Sequence, residues 1–327
     1  MSKIYVTRKI PDAGLKLLRA QGYRVEIYPE DKIIPRRELV KNVNGCDALL
    51  SLLTDKIDAE VFDAAGPQLK IIANYAVGFD NIDIAEAKKR GIVITNAPHD
   101  EVNEAVAEHT FALLVSLARR IPEADVFAKA QRYEGWSPTL LIGTSLSGKT
   151  LGIIGAGRIG ASVARRGVKG FGMKLVYSDT RSNPDIEKDL GATRILMEKL
   201  LEISDFVSLH VPLLPATRHL ISTDEFSLMK KTAFLINTAR GPIVDEKALL
   251  RALKTKRIAG AALDVFECEP AIDCDVTDNL ELKGFSNVIL TPHIASATIE
   301  AREAMSLVAA ENIRAVLSRK PPLNPLQ

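Results

Sequence analysis

The amino-acid sequence predicts an α/β chain folded as two doubly wound parallel-sheet domains. Short apolar runs alternate with amphipathic helical stretches along most of its length, and the series breaks off near the middle and starts again. A length of 327 residues suits two domains of ordinary size.

In the first series Ile4 to Thr7, Val25 to Tyr28, Ala48 to Leu52, Ile71 to Ala73 and Ile92 to Thr95 read as strands. Ala13 to Gln21, Arg36 to Val43 and Ile84 to Arg90 between them read as helices. After the turn chemistry of Asn96-Ala97-Pro98 comes a long helical stretch, Val102 to Arg120. An irregular, polar and aromatic connection, Gln131 to Pro138, follows. The second series starts at Thr150 and runs to about Leu290. A last helix, Ile299 to Leu317, stops before Pro321-Pro322, where proline blocks continuation. The first series and the last helix are expected to form one domain, with the second series inserted between them.

Bulk properties exclude several function classes. Forty-three Lys and Arg balance 41 Asp and Glu without forming a stripe, which argues against nucleic acid. No apolar run reaches membrane-spanning length, and the N-terminus turns at once into a strand pattern instead of a signal peptide. Cys46, Cys268 and Cys274 form no CxxC pair, so free thiols in a reducing cytoplasm are expected. The histidine spacings match no metal-ligand set, so no metal is expected.

The second series opens on Leu151-Gly152-Ile153-Ile154, a buried strand feeding into Gly155-Ala156-Gly157-Arg158-Ile159-Gly160 and then a helix. The spacing has a mechanical reason. The first glycine permits the tight turn, the second lets backbone approach a pyrophosphate, and the third lets helix and strand pack closely. Backbone N–H groups and the positive end of the helix dipole then face the anion. The next strand ends in Asp179, nineteen positions past Gly160, where an acceptor for the adenosine ribose hydroxyls is expected. A carboxylate there favours NAD, although Arg181 two residues on suits the extra phosphate of NADP, and Asp179 also reads as a plain turn residue.

Three later strand-like runs each lead into a chemically suited residue: Phe234 to Asn237 into Arg240, Ala261 to Phe266 into Glu269, and Val288 to Leu290 into His293. Ligands of open parallel sheets bind beyond the carboxyl ends of the strands. Reducing a 2-oxo acid needs this set: a fork-shaped cation for the carboxylate, a titratable ring to give the carbonyl oxygen a proton, and a carboxylate to orient that ring. Taken singly, Arg240 reads equally as a surface cation, Glu269 as a helix-start charge and His293 as a structural histidine. Their joint placement downstream of a dinucleotide loop favours the catalytic reading.

With Val77-Gly78-Phe79-Asp80-Asn81-Ile82-Asp83, Asn237 to Asp245, Leu263 to Pro270 and Thr291-Pro292-His293, the chain resembles the D-isomer-specific 2-hydroxyacid dehydrogenases over nearly its whole length. Gly135-Trp136-Ser137-Pro138-Thr139 looks most like the glyoxylate and hydroxypyruvate reductases among them. The resemblance implies a Rossmann nucleotide domain, residues 100–295, inserted into a flavodoxin-like substrate domain, residues 1–99 and 296–327. It implies a cytoplasmic homodimer that uses NAD, with NADP possible. Arg240 would bind substrate, Glu269 tune the histidine, His293 act as acid and base, and Val77 and Gly78 hold the substrate carboxylate. Cofactor contacts are implied for Thr110, Gly155, Gly157, Arg158, Ile159, Gly160, Asp179, His210, Val211, Pro212, Thr217, Thr238, Ala239, Arg240, Asp264, His293 and Ala295.

One departure is Arg165-Arg166-Gly167-Val168-Lys169-Gly170, one residue longer than the family pattern. Ala76 stands where related phosphite dehydrogenases carry lysine, which disfavours phosphite. The competing enzyme readings are a 3-phosphoglycerate dehydrogenase, for which the chain has no added regulatory domain and no extra cations in 74–83, and a D-lactate-type enzyme. A dinucleotide-sensing corepressor is the alternative of another class. His109, in an apolar helix, reads as a packed core residue, and His99 and His219 as loop histidines.

Overall fold

A computed structural model describes residues 1–269 and 281–326. The chain divides into two compact units, one of residues 1–102 with 297–327, the other of residues 103–296.

The first unit begins with β1 (Lys3–Val6), α1 (Asp12–Ala20), β2 (Arg24–Ile27), α2 (Arg36–Asn42), β3 (Ala48–Leu52), α3 (Ala59–Ala65), β4 (Ile71–Tyr75), α4 (Ile84–Lys89) and β5 (Val93–Thr95). Helix α5 (Asp100–Ala118) and α6 (Ile121–Lys129) follow. The second unit continues with β6 (Thr150–Ile154), α7 (Arg158–Arg165), β7 (Lys174–Ser178), α8 (Pro184–Leu190), β8 (Thr193–Arg194), α9 (Met197–Ile203), β9 (Phe206–Leu209), α10 (Thr223–Leu228), β10 (Phe234–Asn237), α11 (Glu246–Lys254), β11 (Gly260–Leu263) and β12 (Val288–Leu290). The chain closes with α12 (Ile299–Leu317) and β13 (Pro325–Leu326), which belong to the first unit.

The first sheet has the order β13-β5-β4-β3-β1-β2, all parallel except the antiparallel edge β13. The second has the order β12-β11-β10-β9-β6-β7-β8, parallel throughout. Both are doubly wound. Strand order reverses between β1 and β3 in the first and between β6 and β9 in the second, and such reversals leave a crevice at the carboxyl ends of the strands. The central strands are continuous apolar runs because helices cover both faces: β4, β9, β10 and β11 are buried at every position. Helix α12 belongs with the first unit because it packs on α1, where Ser306 accepts the Gly14 N–H at 3.0 Å and donates to the Pro11 carbonyl at 2.7 Å.

Several expectations need correction. The helix expected to end at Arg120 stops at Ala118, since Arg120 takes a left-handed conformation (φ 54°). A further helix, α6, starts there with Pro122 in its first turn, where proline costs no hydrogen bond. Helix α3 and strand β13 were not expected at all. The extra residue of 165–170 is absorbed as a π-helical turn, Arg166–Gly170, directly after α7. Register downstream is therefore intact, with Ile154 opposite Ser178. Cys46 is a free, buried thiol whose pKa burial pushes up to about 12. Cys268 is disulfide-bonded, contrary to the free thiol expected; the geometry that brings two sulfurs together is not visible in a cysteine count. Cys274 lies outside the described residues.

Candidate active site

The glycine loop shows why its residues are what they are. Gly155 turns with φ 93°, and a Cβ there would sit 2.6 Å from the His210 carbonyl oxygen. A Cβ on Gly160 would sit 2.1 Å from the Gly155 carbonyl oxygen. Gly157 faces open space and caps α7, whose first turn carries no acidic residue to offset its dipole. Ala156, between the glycines, is gripped at both ends of its backbone. Its N–H donates to Asp179 Oδ2 at 2.7 Å, and its carbonyl accepts from Asn183 Nδ2 at 2.7 Å. Asp179 Oδ1 takes only longer bonds, from the Thr180 hydroxyl (3.2 Å) and the Arg181 N–H (3.3 Å). A carboxylate accepts about four hydrogen bonds, so Asp179 retains capacity for ribose hydroxyls while it braces the loop. Arg158 and Ile159 open α7 beside it.

At the end of β9, His210 Nε2 lies 2.8 Å from Ser208 Oγ. Burial pushes its pKa down to about 3, so the ring is neutral at physiological pH. Val211 and Pro212 lead into a turn tied by Thr217, whose hydroxyl donates to the Pro212 carbonyl at 2.6 Å and accepts from the Leu214 N–H at 2.8 Å.

Arg240, Glu269 and His293 follow β10, β11 and β12, three neighbouring strands of the second sheet. Buried Asn237 folds the first of these loops, accepting from the Ala239 N–H at 3.0 Å and donating to the Arg240 carbonyl at 2.9 Å. Thr238 hydrogen bonds to the Thr110 hydroxyl at 3.0 Å, and half-buried Arg240 places Nη1 on the Ala239 carbonyl at 2.8 Å. Glu269 divides its carboxylate: Oε1 accepts the Phe266 N–H at 2.9 Å, and Oε2 lies 2.9 Å from His293 Nδ1. Nδ1 therefore donates, and Nε2 is left with no partner among the described residues. Glu267 anchors the same loop, its N–H on Glu246 Oε1 and its carboxylate on His219 Nε2, each at 2.6 Å.

His293 itself is in the left-handed region (φ 53°), which costs an ordinary residue about 1–3 kcal/mol and persists only when its surroundings impose it. Asp264 imposes it. Its carbonyl accepts the His293 N–H at 2.8 Å. Its carboxylate accepts the Thr291 hydroxyl (2.6 Å), the Ile294 N–H (2.9 Å) and the Ala295 N–H (2.8 Å). Burial alone would raise the Asp264 pKa, but the bonds from His109, Thr291, Ile294 and Ala295 outweigh it and hold the carboxyl below its ordinary value. Asp264 and Thr110, both expected at the cofactor, are fully buried and hold the loops beside them. His109 departs from the apolar core position expected: its Nε2 is 3.1 Å from Thr291 Oγ1 and 3.4 Å from Asp264 Oδ1.

In the first unit, three successive carbonyls of 76–78 are each held: Ala76 by the Ala97 N–H (2.8 Å), Val77 by Asn96 Nδ2 (2.7 Å) and Gly78 by Asn74 Nδ2 (3.0 Å). Across a trans peptide the N–H points opposite to the carbonyl. The N–H groups of Val77, Gly78 and Phe79 are thus turned away from those anchors, and the first two meet no acceptor among the described residues. Backbone N–H groups without an acceptor, as at Val77 and Gly78, suit a carboxylate. Sequence reasoning missed the four asparagines 74, 96, 183 and 237; their only signal was a position at or just after a strand, or before Pro184. Among the described residues no group of three His, Cys, Asp or Glu stands together as a metal site.

The family model described as "D-isomer specific 2-hydroxyacid dehydrogenase, NAD binding domain" matches residues 111–295. The chain belongs to that family. This D-2-hydroxyacid dehydrogenase is 48% identical over 326 residues to a glyoxylate reductase of Thermococcus litoralis, covering 98% of this chain and 96% of that one. Its fold matches the protein TT0316 of Thermus thermophilus with TM-score 0.91 and 41% identity, covering 99% of this chain and 100% of that one. It also matches an NADPH-dependent glyoxylate/hydroxypyruvate reductase of Sinorhizobium meliloti in complex with NADP and malonate, with TM-score 0.84 and 32% identity, covering 99% and 96%. The protein is an NAD(P)-dependent oxidoreductase, and its second unit is a Rossmann fold whose glycine loop is closely packed at Gly155 and Gly160 and open at Gly157.

Proposed function

We propose that this dehydrogenase reduces glyoxylate or hydroxypyruvate to the 2-hydroxy acid, with residues 100–295 holding the nucleotide and residues 1–99 and 296–327 the substrate. The observation that carries the reading is the His293–Glu269 pair, 2.9 Å apart, with Nε2 of the ring left free. The names of the relatives support the choice of substrate.

A nicotinamide dinucleotide held by the glycine loop and Asp179 would supply the hydride for the substrate C2. Charge then develops on the carbonyl oxygen, and His293 Nε2–H donates a proton to it. Glu269 fixes the ring through Nδ1 and stabilises the cation whenever both nitrogens carry protons. Arg240 and the N–H groups of Val77 and Gly78 are the groups we assign to the substrate carboxylate. Gly155, Gly157, Arg158, Ile159 and Gly160 line the pyrophosphate site; Asp179 accepts the ribose hydroxyls and selects NADH. His210, Val211, Pro212, Thr217, Thr238, Ala239 and Ala295 border the cofactor. We place the enzyme in the cytoplasm, and no helix among the described residues is long and apolar enough to cross a membrane.

Initial rates with glyoxylate, hydroxypyruvate and pyruvate, each with NADH and NADPH, test the proposal. The first two substrates with NADH should give the highest kcat/KM. Tight NADH binding without turnover of any of them would instead make the protein a dinucleotide-sensing binding module.

A further inference from the structure

Helix α5 touches two of the three loops that carry Arg240, Glu269 and His293, through two adjacent residues. Thr110 already donates its hydroxyl to the Val106 carbonyl at 2.7 Å, so at 3.0 Å from Thr238 it accepts. One residue earlier, His109 Nε2 meets Thr291 Oγ1 at 3.1 Å and Asp264 Oδ1 at 3.4 Å.

The proton on that ring nitrogen follows from its neighbours. Thr291 Oγ1 lies 2.6 Å from Asp264 Oδ1, and an ionised carboxylate only accepts, so the single hydroxyl hydrogen points at Asp264. Toward His109 the Thr291 oxygen then offers only lone pairs, as does Asp264. Nε2 must carry a hydrogen in either charge state of the ring. A fully buried carboxylate is costly to leave short of donors, and His109 is one of four groups that serve this one. The other three, Thr291, Ile294 and Ala295, belong to the turn that bears His293, whose own N–H is held by the Asp264 carbonyl.

We propose that His109 is a positioning residue for the reduction: by donating from Nε2 to Thr291 and Asp264, it holds the 291–295 turn in the left-handed conformation that sets His293 Nδ1 on Glu269 and leaves Nε2 free. The inference rests on the acid/base reading of His293. His109 acts one layer behind the chemistry, so its loss should lower kcat without changing how either ligand is held.

Four variants test it: His109→Leu, His109→Gln, Thr291→Val and His293→Ala, each measured for kcat and KM with glyoxylate and for NADH affinity by fluorescence titration. Gln can place an amide N–H where Nε2 stands; Leu cannot. Thr291→Val removes the same link from the other side without touching α5. His109→Leu and Thr291→Val should each lose roughly ten- to a hundredfold in kcat, the worth of one hydrogen bond to a buried charge. KM and NADH affinity should stay within about threefold, and His109→Gln should recover most of the rate. Wild-type kcat in both His109→Leu and Thr291→Val beside an inactive His293→Ala overturns this inference alone, as does a His109→Gln no faster than His109→Leu. Wild-type turnover by His293→Ala overturns the acid/base reading, and this inference with it.

Discussion

Arg240 and His210 show how the same burial that builds the site sets the chemistry of single side chains. Arg240 is half-buried with one guanidinium nitrogen tied to the Ala239 carbonyl, so its planar group is oriented before substrate arrives. Lysine keeps the charge but not the fork. Arg240→Lys should raise KM for glyoxylate by roughly tenfold or more while NADH affinity moves little. A large loss of NADH affinity with unchanged KM would assign Arg240 to the cofactor instead. His210 makes a prediction about stability. Its folded pKa of about 3 lies below the ordinary histidine value of 6.5, so the unfolded chain binds the proton more readily. Any stability that depends on a neutral ring is therefore complete above about pH 6.5 and is lost as pH falls from there toward about 3. His210→Asn has no such proton to take up. Its urea midpoint should fall less than that of the wild type between pH 7 and about pH 4.5; equal falls would contradict the burial argument.

At the scale of the element, the legible parts of the chain were those whose signal is local. Strands β3 and β6 begin where the apolar runs begin, and the glycine loop is readable because sterics at Gly155 and Gly160 demand those residues. Helix α3 was not read, although α2 and α4, no longer than it, were. Helix α6 was missed too; none of its side chains is buried, and its Ile121 and Val126 are exposed. The braces of the candidate site were hidden for another reason. Thr110 and Thr238, or His109 and Thr291, meet only through topology, and nothing local marks either partner. The extra residue at 165–170 was visible in the sequence; its solution as a π-helical turn was not. Because that turn takes up the residue and leaves β7 in register, deleting exposed Lys169 should restore a regular helix end. The deletion variant should fold, with NADH affinity within about threefold of wild type. Loss of NADH binding would mean that the turn itself shapes the nucleotide site.

At the scale of the whole molecule, each unit has its own sheet: the first carries the N–H groups of Val77 and Gly78, the second the glycine loop and the three strand-end residues. The second unit also exposes apolar side chains between 121 and 142, with Ile121 at 51%, Val126 at 60%, Trp136 at 84% and Ile142 at 64%. Such a concentration favours a partner surface, as the homodimer implied by the sequence resemblance would need. Light scattering should report twice the chain mass, and Val126→Asp should shift it toward the monomer; a monomeric wild type would contradict the proposal. The central claim is that a free His293 Nε2, oriented by Glu269, delivers the proton in the reduction of a 2-oxo acid. The most direct measurement is the steady-state rate of NADH oxidation with saturating glyoxylate, wild type against His293→Ala, with NADH binding measured on both. The account predicts turnover by the wild type and a rate roughly 10²–10⁴-fold lower in the variant with NADH affinity retained. A variant as fast as the wild type, or a wild type that binds NADH and reduces no 2-oxo acid, would contradict it.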